Sequence, residues 1–202
     1  MSTIAIYVEG GGEGRNGRAA LRQGLDAFLD EQKRAALSHG WRWKLVCAGS
    51  RSAAFKAFRI AIQQGDTEAV LLLVDAEGPL QDGAIAHLRR RDGWNMDFAE
   101  ERAVHLMVQT MESWIVADGD ALAAYYGNGF HRNSLPKSTN LESVPSREIE
   151  RSLKAATRHT AKGEYHKIRH ARPLLAQISQ RRVRERCEGC GRFLDYLTLI
   201  LT

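Results

Sequence analysis

The chain has 202 residues, 44% hydrophobic and 26% charged, an ordinary globular balance that can bury one sizeable core. No run approaches the roughly 18 consecutive apolar residues of a membrane span, and Met1–Glu9 lacks the basic start and cleavage site of a signal peptide, so a cytoplasmic protein with no membrane partner is expected. Three cysteines, an odd number, make no disulfide framework, and the net charge of +5 is uneven: Ser146–Arg192 carries 13 Lys and Arg against five Asp and Glu, leaving the rest net negative by three. Basic surfaces attract phosphate backbones, although solvated helix faces give the same count.

Along the chain, Thr3–Val8 reads as a strand, stopped by a glycine-rich turn, and Arg15–Leu37 follows with helical spacing. Trp41–Ala48 reads as a second strand, Ser50–Gln64 as a helix capped by Ser50 or Ser52, and Ala69–Val74 as a third strand. The third is continuously apolar, as a strand covered on both faces must be. Asp82–Arg91 is a short helix, Ala103–Gln109 a fourth strand, and Met111–Ala117 and Ala121–Tyr126 are helical pieces. Strands alternating with helices predict an α/β fold with a parallel sheet. Phe130–Pro145 is a polar connector. Beyond it only helices are predicted, over Arg147–Thr160, Ala171–Ile178, Arg181–Arg186 and Phe193–Leu201, around a basic turn at Lys162–His170. The expected division is an α/β core over 1–145 and a basic helical extension over 146–202 packed on it.

Gly12-x-Gly14-x-x-Gly17 satisfies the dinucleotide pattern between a strand and a helix. The acid that should hold a ribose at the end of the second strand is replaced by Cys47-Ala48-Gly49, and the near fit to a phosphate loop lacks its Lys and its Ser or Thr. The loop instead carries Glu9 and Glu13, groups that repel a pyrophosphate and suit a hard cation; Glu13 also suits the positive end of the next helix. A second pair, Asp75 and Glu77, follows the third strand, and on an extended backbone residues two apart point the same way. With the first and third strands adjacent, Glu9, Asp75 and Glu77 share one pocket at the carboxyl edge. Two like charges at roughly 4 Å repel by about 4 kcal/mol at an effective dielectric of 20, so such a cluster calls for a cation such as Mg²⁺ or Mn²⁺. Glu112, just past the fourth strand, is a further ligand or a helix cap. Trp114 reads as core.

Val8-Glu9-Gly10 with Glu13, Val74-Asp75-Ala76-Glu77, the run Met111–Asp118 with its Glu-x-Trp-x-x-x-Asp spacing, Tyr165-His166-Lys167 and Cys190–Leu194 resemble the landmarks of a bacterial Toprim-like family catalogued as domain of unknown function 4276. Toprim domains also occur in topoisomerases, primases and overcoming-lysogenization-defect nucleases. The resemblance implies a Toprim-like (Rossmann-like) four-stranded parallel sheet flanked by helices, metal-dependent phosphodiester chemistry, and pairing with an AAA-type ATPase in phage defence. Toprim enzymes usually carry Asp-x-Asp where this chain has Asp75-x-Glu77. The expected enzyme is thus a metal-dependent nuclease in which Glu9, Asp75 and Glu77 hold Mg²⁺ or Mn²⁺ with Glu13 or Glu112 completing the shell. Lys167 offsets charge on the phosphate, and Lys162, Lys167 and Arg169 contact DNA or RNA. The rival is a non-catalytic subunit that regulates an ATPase or binds nucleic acid, and on either reading a homodimer is among the expected partners. A third reading makes His166 and His170 with Cys187 and Cys190 a zinc site, against the plainer one of buried thiols flanking a turn at Gly189.

Overall fold

The computed structural model describes residues 2–12 and 14–201. Strands β1 (Thr3–Gly11), β2 (Arg42–Gly49), β3 (Ala69–Asp75) and β4 (Val104–Met107) form one all-parallel sheet in the order β2-β1-β3-β4. Helices α1 (Arg15–Phe28), α2 (Asp30–Ser38), α3 (Arg51–Gln64), α4 (Ala84–Asp92), α5 (Met111–Ala117) and α6 (Gly119–Tyr126) lie in the first two thirds of the chain. The last part holds α7 (Ser146–Thr157), α8 (Lys167–Leu175), α9 (Gln180–Arg186) and α10 (Glu188–Leu199).

The expected α/β class and parallel sheet are therefore what the chain forms. Each central strand is apolar on both faces because both are covered. Ile4, Ile6 and Val8 with Leu71 and Leu73 face one hydrophobic cluster, whereas Ala5, Tyr7, Leu72 and Val74 face another. Phe58 of α3 and Leu88 of α4 fill the second layer. The first holds Leu21, Leu25 and Phe28, spaced by helical turns along α1, together with Trp114, Leu174, Phe193 and Leu197. The basic last third thus shares a core with the sheet: α8 packs on α1, and α10 on β4.

Four segments differ from their sequence reading. The single helix expected over Arg15–Leu37 breaks at Leu29, which is wholly buried and leaves the helical backbone so that α2 can turn beneath β2. The connector contains two short 3₁₀ turns, at Arg132–Ser134 and Leu141–Ser143. The expected basic turn at Lys162–His170 is helical from Lys167 onward, and Cys187 caps α10 with Gly189 and Cys190 in its first turn.

The glycine motif has a packing explanation. Gly10, Gly11 and Gly12 all have positive φ, which lets the chain reverse out of β1 into α1. A Cβ at Gly17 would lie 2.2 Å from the Gly11 carbonyl oxygen, so the helix presses on the turn where a phosphate loop would leave a cradle. Gly17→Ala should lower thermal stability by about 1–3 kcal/mol, the usual cost of forced overpacking. Titration calorimetry of the wild type with ATP, NAD and NADP should show no micromolar binding; tight binding would restore the nucleotide reading.

Candidate functional site

The parallel sheet ends β1 and β3 at one carboxyl edge, with Glu9 one residue and Asp75 two residues past their last pair, Val8 and Leu73. There the Asp75 amide donates to Glu9 Oε2 at 3.3 Å, and the Asp75 carboxylate reaches over β4 to accept the Met111 amide on Oδ1 at 2.8 Å. That bond satisfies an otherwise unpaired N–H in the first turn of α5 and fixes Glu112 beside Asp75. Both carboxylates are buried, and Lys167 Nζ lies between them, 3.6 Å from Asp75 Oδ2 and 3.5 Å from Glu112 Oε2. Tyr165, also buried, donates its hydroxyl to Glu112 Oε1 at 3.2 Å.

These groups line a cleft of about 800 Å³. Its acidic wall is Glu9, Asp75, Glu77 and Glu112, and the glycine turn forms one side. The rest of the lining includes Arg147, Glu150 and Lys154 from α7, the last two ion-paired at 2.7 Å, and Lys167 and Arg172 from α8. Arg147 and Arg172 are exposed and make no ion pair among the described residues.

Burial is the main force on Asp75, raising its pKa from 3.8 to about 7; Lys167 and the Met111 amide pull it down, while Glu112 and Glu9 push it further up. Lys167 responds in the opposite sense: burial disfavours its charge, but Asp75 and Glu112 outweigh that and hold its pKa above the ordinary lysine value. Burial and the Glu112 carboxylate raise the Tyr165 phenol as well, so it remains a hydrogen-bond donor.

The other expected site residues are placed differently. Glu77 lies past the end of β3 in a left-handed conformation (φ 54°), so it does not continue the extended backbone that would aim it parallel to Asp75. It turns to Arg91 at the cleft rim and is half exposed. Glu13 lies outside the described residues. Lys162 stacks on Tyr125, 5.0 Å from the ring centroid, and neither it nor Arg169 lines the cleft.

The model of the domain of unknown function DUF4276 matches residues 8–198, which takes in every landmark from Glu9 to Phe193. The chain belongs to this family. No curated protein and no solved structure matches it. Among the described residues of this DUF4276 protein, no helix is long and apolar enough to cross a membrane.

For a metal, the donor chemistry and the arrangement must both be weighed. Among the described residues, no three Asp, Glu, His or Cys side chains converge into a chelating group. The pair Asp75 and Glu112 nevertheless suits Mg²⁺, which is commonly held by one or two carboxylates plus waters and substrate phosphate. The pair already embraces a cation, the half-exposed Lys167. The zinc reading has no such support. His170 Nδ1 accepts from the Tyr126 hydroxyl at 3.0 Å and from the His166 amide at 3.1 Å, and Cys187 and Cys190 are buried in the first core layer.

Sequence reasoning missed Arg51, Tyr165, Arg147 and Arg172. Arg51 Nη1 donates to Glu9 Oε2 at 3.0 Å and to the Asp75 carbonyl, so a protein cation supplies part of the compensation assigned to metal. Tyr165 stands within the motif that named Lys167, and its adjacency was the available signal.

Proposed function

We propose that this protein is a metal-dependent phosphodiesterase of Toprim type, acting on DNA or RNA, with Mg²⁺ or Mn²⁺ held by Asp75 and Glu112 and with Glu9 beside them. The observation that carries this reading is a pair of buried carboxylates, Asp75 and Glu112, side by side in a cleft that Arg147 and Arg172 also line. A divalent ion there would polarise a phosphoryl oxygen and lower the pKa of a water.

The chain's own groups have separate tasks. Oδ1 of Asp75 is committed to the Met111 amide, which leaves Oδ2, the oxygen facing Lys167, as the ligand. Tyr165 holds Glu112 by Oε1 and directs Oε2 to the same place. An ion held by Asp75 and Glu112 would free Lys167 for a phosphate oxygen, and Arg147 and Arg172, which also line the cleft, would take the adjoining phosphates. Glu77, paired with Arg91, belongs to the rim rather than to the ion.

Purified protein should hydrolyse single- or double-stranded DNA or RNA with Mn²⁺ or Mg²⁺ and lose that activity with EDTA. Glu112→Gln, which retains the Tyr165 hydrogen bond, should abolish turnover. Absence of turnover on all four substrates, together with retained nucleic-acid binding, would favour the non-catalytic subunit of an ATPase complex.

A further inference from the structure

We infer that Arg51, anchored by Asp92, is a positioning residue that fixes Glu9 and the end of β3 for the divalent ion. This rests on the metal reading above but invokes residues outside the carboxylate pair.

Arg51 is the first residue of α3 and Asp92 the last of α4. Each stands at the helix end that its charge disfavours, since the N-terminus is the positive pole and the C-terminus the negative one. Neither helix is stabilised by this choice. The two side chains instead meet in a bidentate pair, Arg51 Nε to Asp92 Oδ1 and Nη2 to Oδ2, both at 2.9 Å. Both are largely buried, and Trp94, stacked on Phe55, covers the guanidinium 5.3 Å from its ring centroid.

The pair leaves only Nη1 of Arg51 free to act, and it points into the carboxyl edge. There it donates to Glu9 Oε2 and to the Asp75 carbonyl oxygen, bridging β1 and β3 just where the cleft begins. Glu9 Oε2 also accepts the Asp75 amide, so this oxygen is doubly held and Oε1 is left for the cleft. The guanidinium fork alone can serve all three acceptors at once; an ammonium, a point donor, cannot span Asp92, Glu9 and the Asp75 carbonyl together. Asp92 holds the neighbouring arm as well, because Arg91 contacts both Asp92 and Glu77.

Charge and geometry predict opposite outcomes here, which makes the role testable. By charge alone, Arg51→Met removes a cation close to the ion and should tighten Mn²⁺ binding. If Arg51 positions Glu9, then Arg51→Met, the charge-preserving Arg51→Lys and the remote Asp92→Asn should all weaken Mn²⁺ binding by about 10- to 100-fold, as loss of residues supporting metal ligands does. Mn²⁺ affinity is read by electron paramagnetic resonance, with circular dichroism confirming the fold; Arg51→Lys and Asp92→Asn carry the test if Arg51→Met does not fold. Mn²⁺ uptake that Asp75→Asn abolishes but all three variants leave unchanged, or that Arg51→Met tightens, overturns the positioning role alone. A wild type that takes up no Mn²⁺ overturns the metal reading and the positioning role with it.

Discussion

Asp75→Asn should make the metal-free protein more stable at pH 8 than the wild type, and the advantage should vanish toward pH 4. The Asp75 carboxyl ionises near its ordinary 3.8 in the unfolded chain but only at about 7 in the folded one. Between those values the native state binds more protons than the unfolded state, so native stability falls as pH rises and the full penalty is present above pH 7. Its upper limit follows from the two pKa values at 1.36 kcal/mol per unit, about 4 kcal/mol. Asparagine retains the oxygen that accepts the Met111 amide and carries no charge to desolvate. The difference in melting temperature between variant and wild type should therefore grow by on the order of 10 °C from pH 4 to pH 8. Mn²⁺ should reverse the ranking, because an ion bound only by the native state stabilises the wild type by mass action and has lost a ligand in the variant. If Asp75→Asn instead destabilises the metal-free protein strongly at pH 8, the carboxylate is a structural partner of Lys167 and Met111, and the ion has no place there.

The same buried acid shows how far the sequence could be followed. Two signals are local and strong: the run Ala69–Val74, apolar on every residue, and the stop from Val8 into Glu9-Gly10. Adjacency of the first and third strands then brings Glu9 to Asp75, as the register shows. Glu77 required a dihedral angle that nothing in its neighbours announces, since left-handed backbone is unusual for glutamate. Arg51 was illegible for a different reason. A basic residue opening a helix looks like a solvated one, and its role depends on α4 delivering Asp92 from 41 residues away. The start of α8 was obscured by Pro173, which is favoured in a first turn but here lies inside a helix begun at Lys167. That shift turns Lys167 from a loop residue into the first residue of a helix docked on α1, which sets it against Asp75 and Glu112.

Replacing Arg147 and Arg172 together with alanine should weaken polynucleotide binding and flatten its salt dependence, whereas the double change of Lys162 and Arg169 should do neither. The sequence pointed to Lys162 and Arg169 by their place in a basic turn, but charge near a site acts on a ligand only where the ligand lies. Arg147 and Arg172 line the same cleft as Asp75 and make no ion pair among the described residues, while Lys162 lies against the Tyr125 ring. Much of the remaining basic surface is already neutralised: Arg182 pairs with Asp120 and Glu185, Arg184 with Asp195, and Arg192 with Glu188. Each phosphate contact contributes about −0.9 to the slope of log affinity against log salt for duplex DNA and about −0.7 for a single strand, so two lost contacts should flatten the slope by roughly 1.4 to 1.8 units. Fluorescence anisotropy across a salt series, in EDTA so that no ion bridges the acidic wall, isolates this contribution. An unchanged slope for the Arg147 and Arg172 pair, with a flattened one for Lys162 and Arg169, would move the polyanion track out of the cleft. The acidic wall would then face no bound phosphate, and the cleft would lose its reason to be an active site.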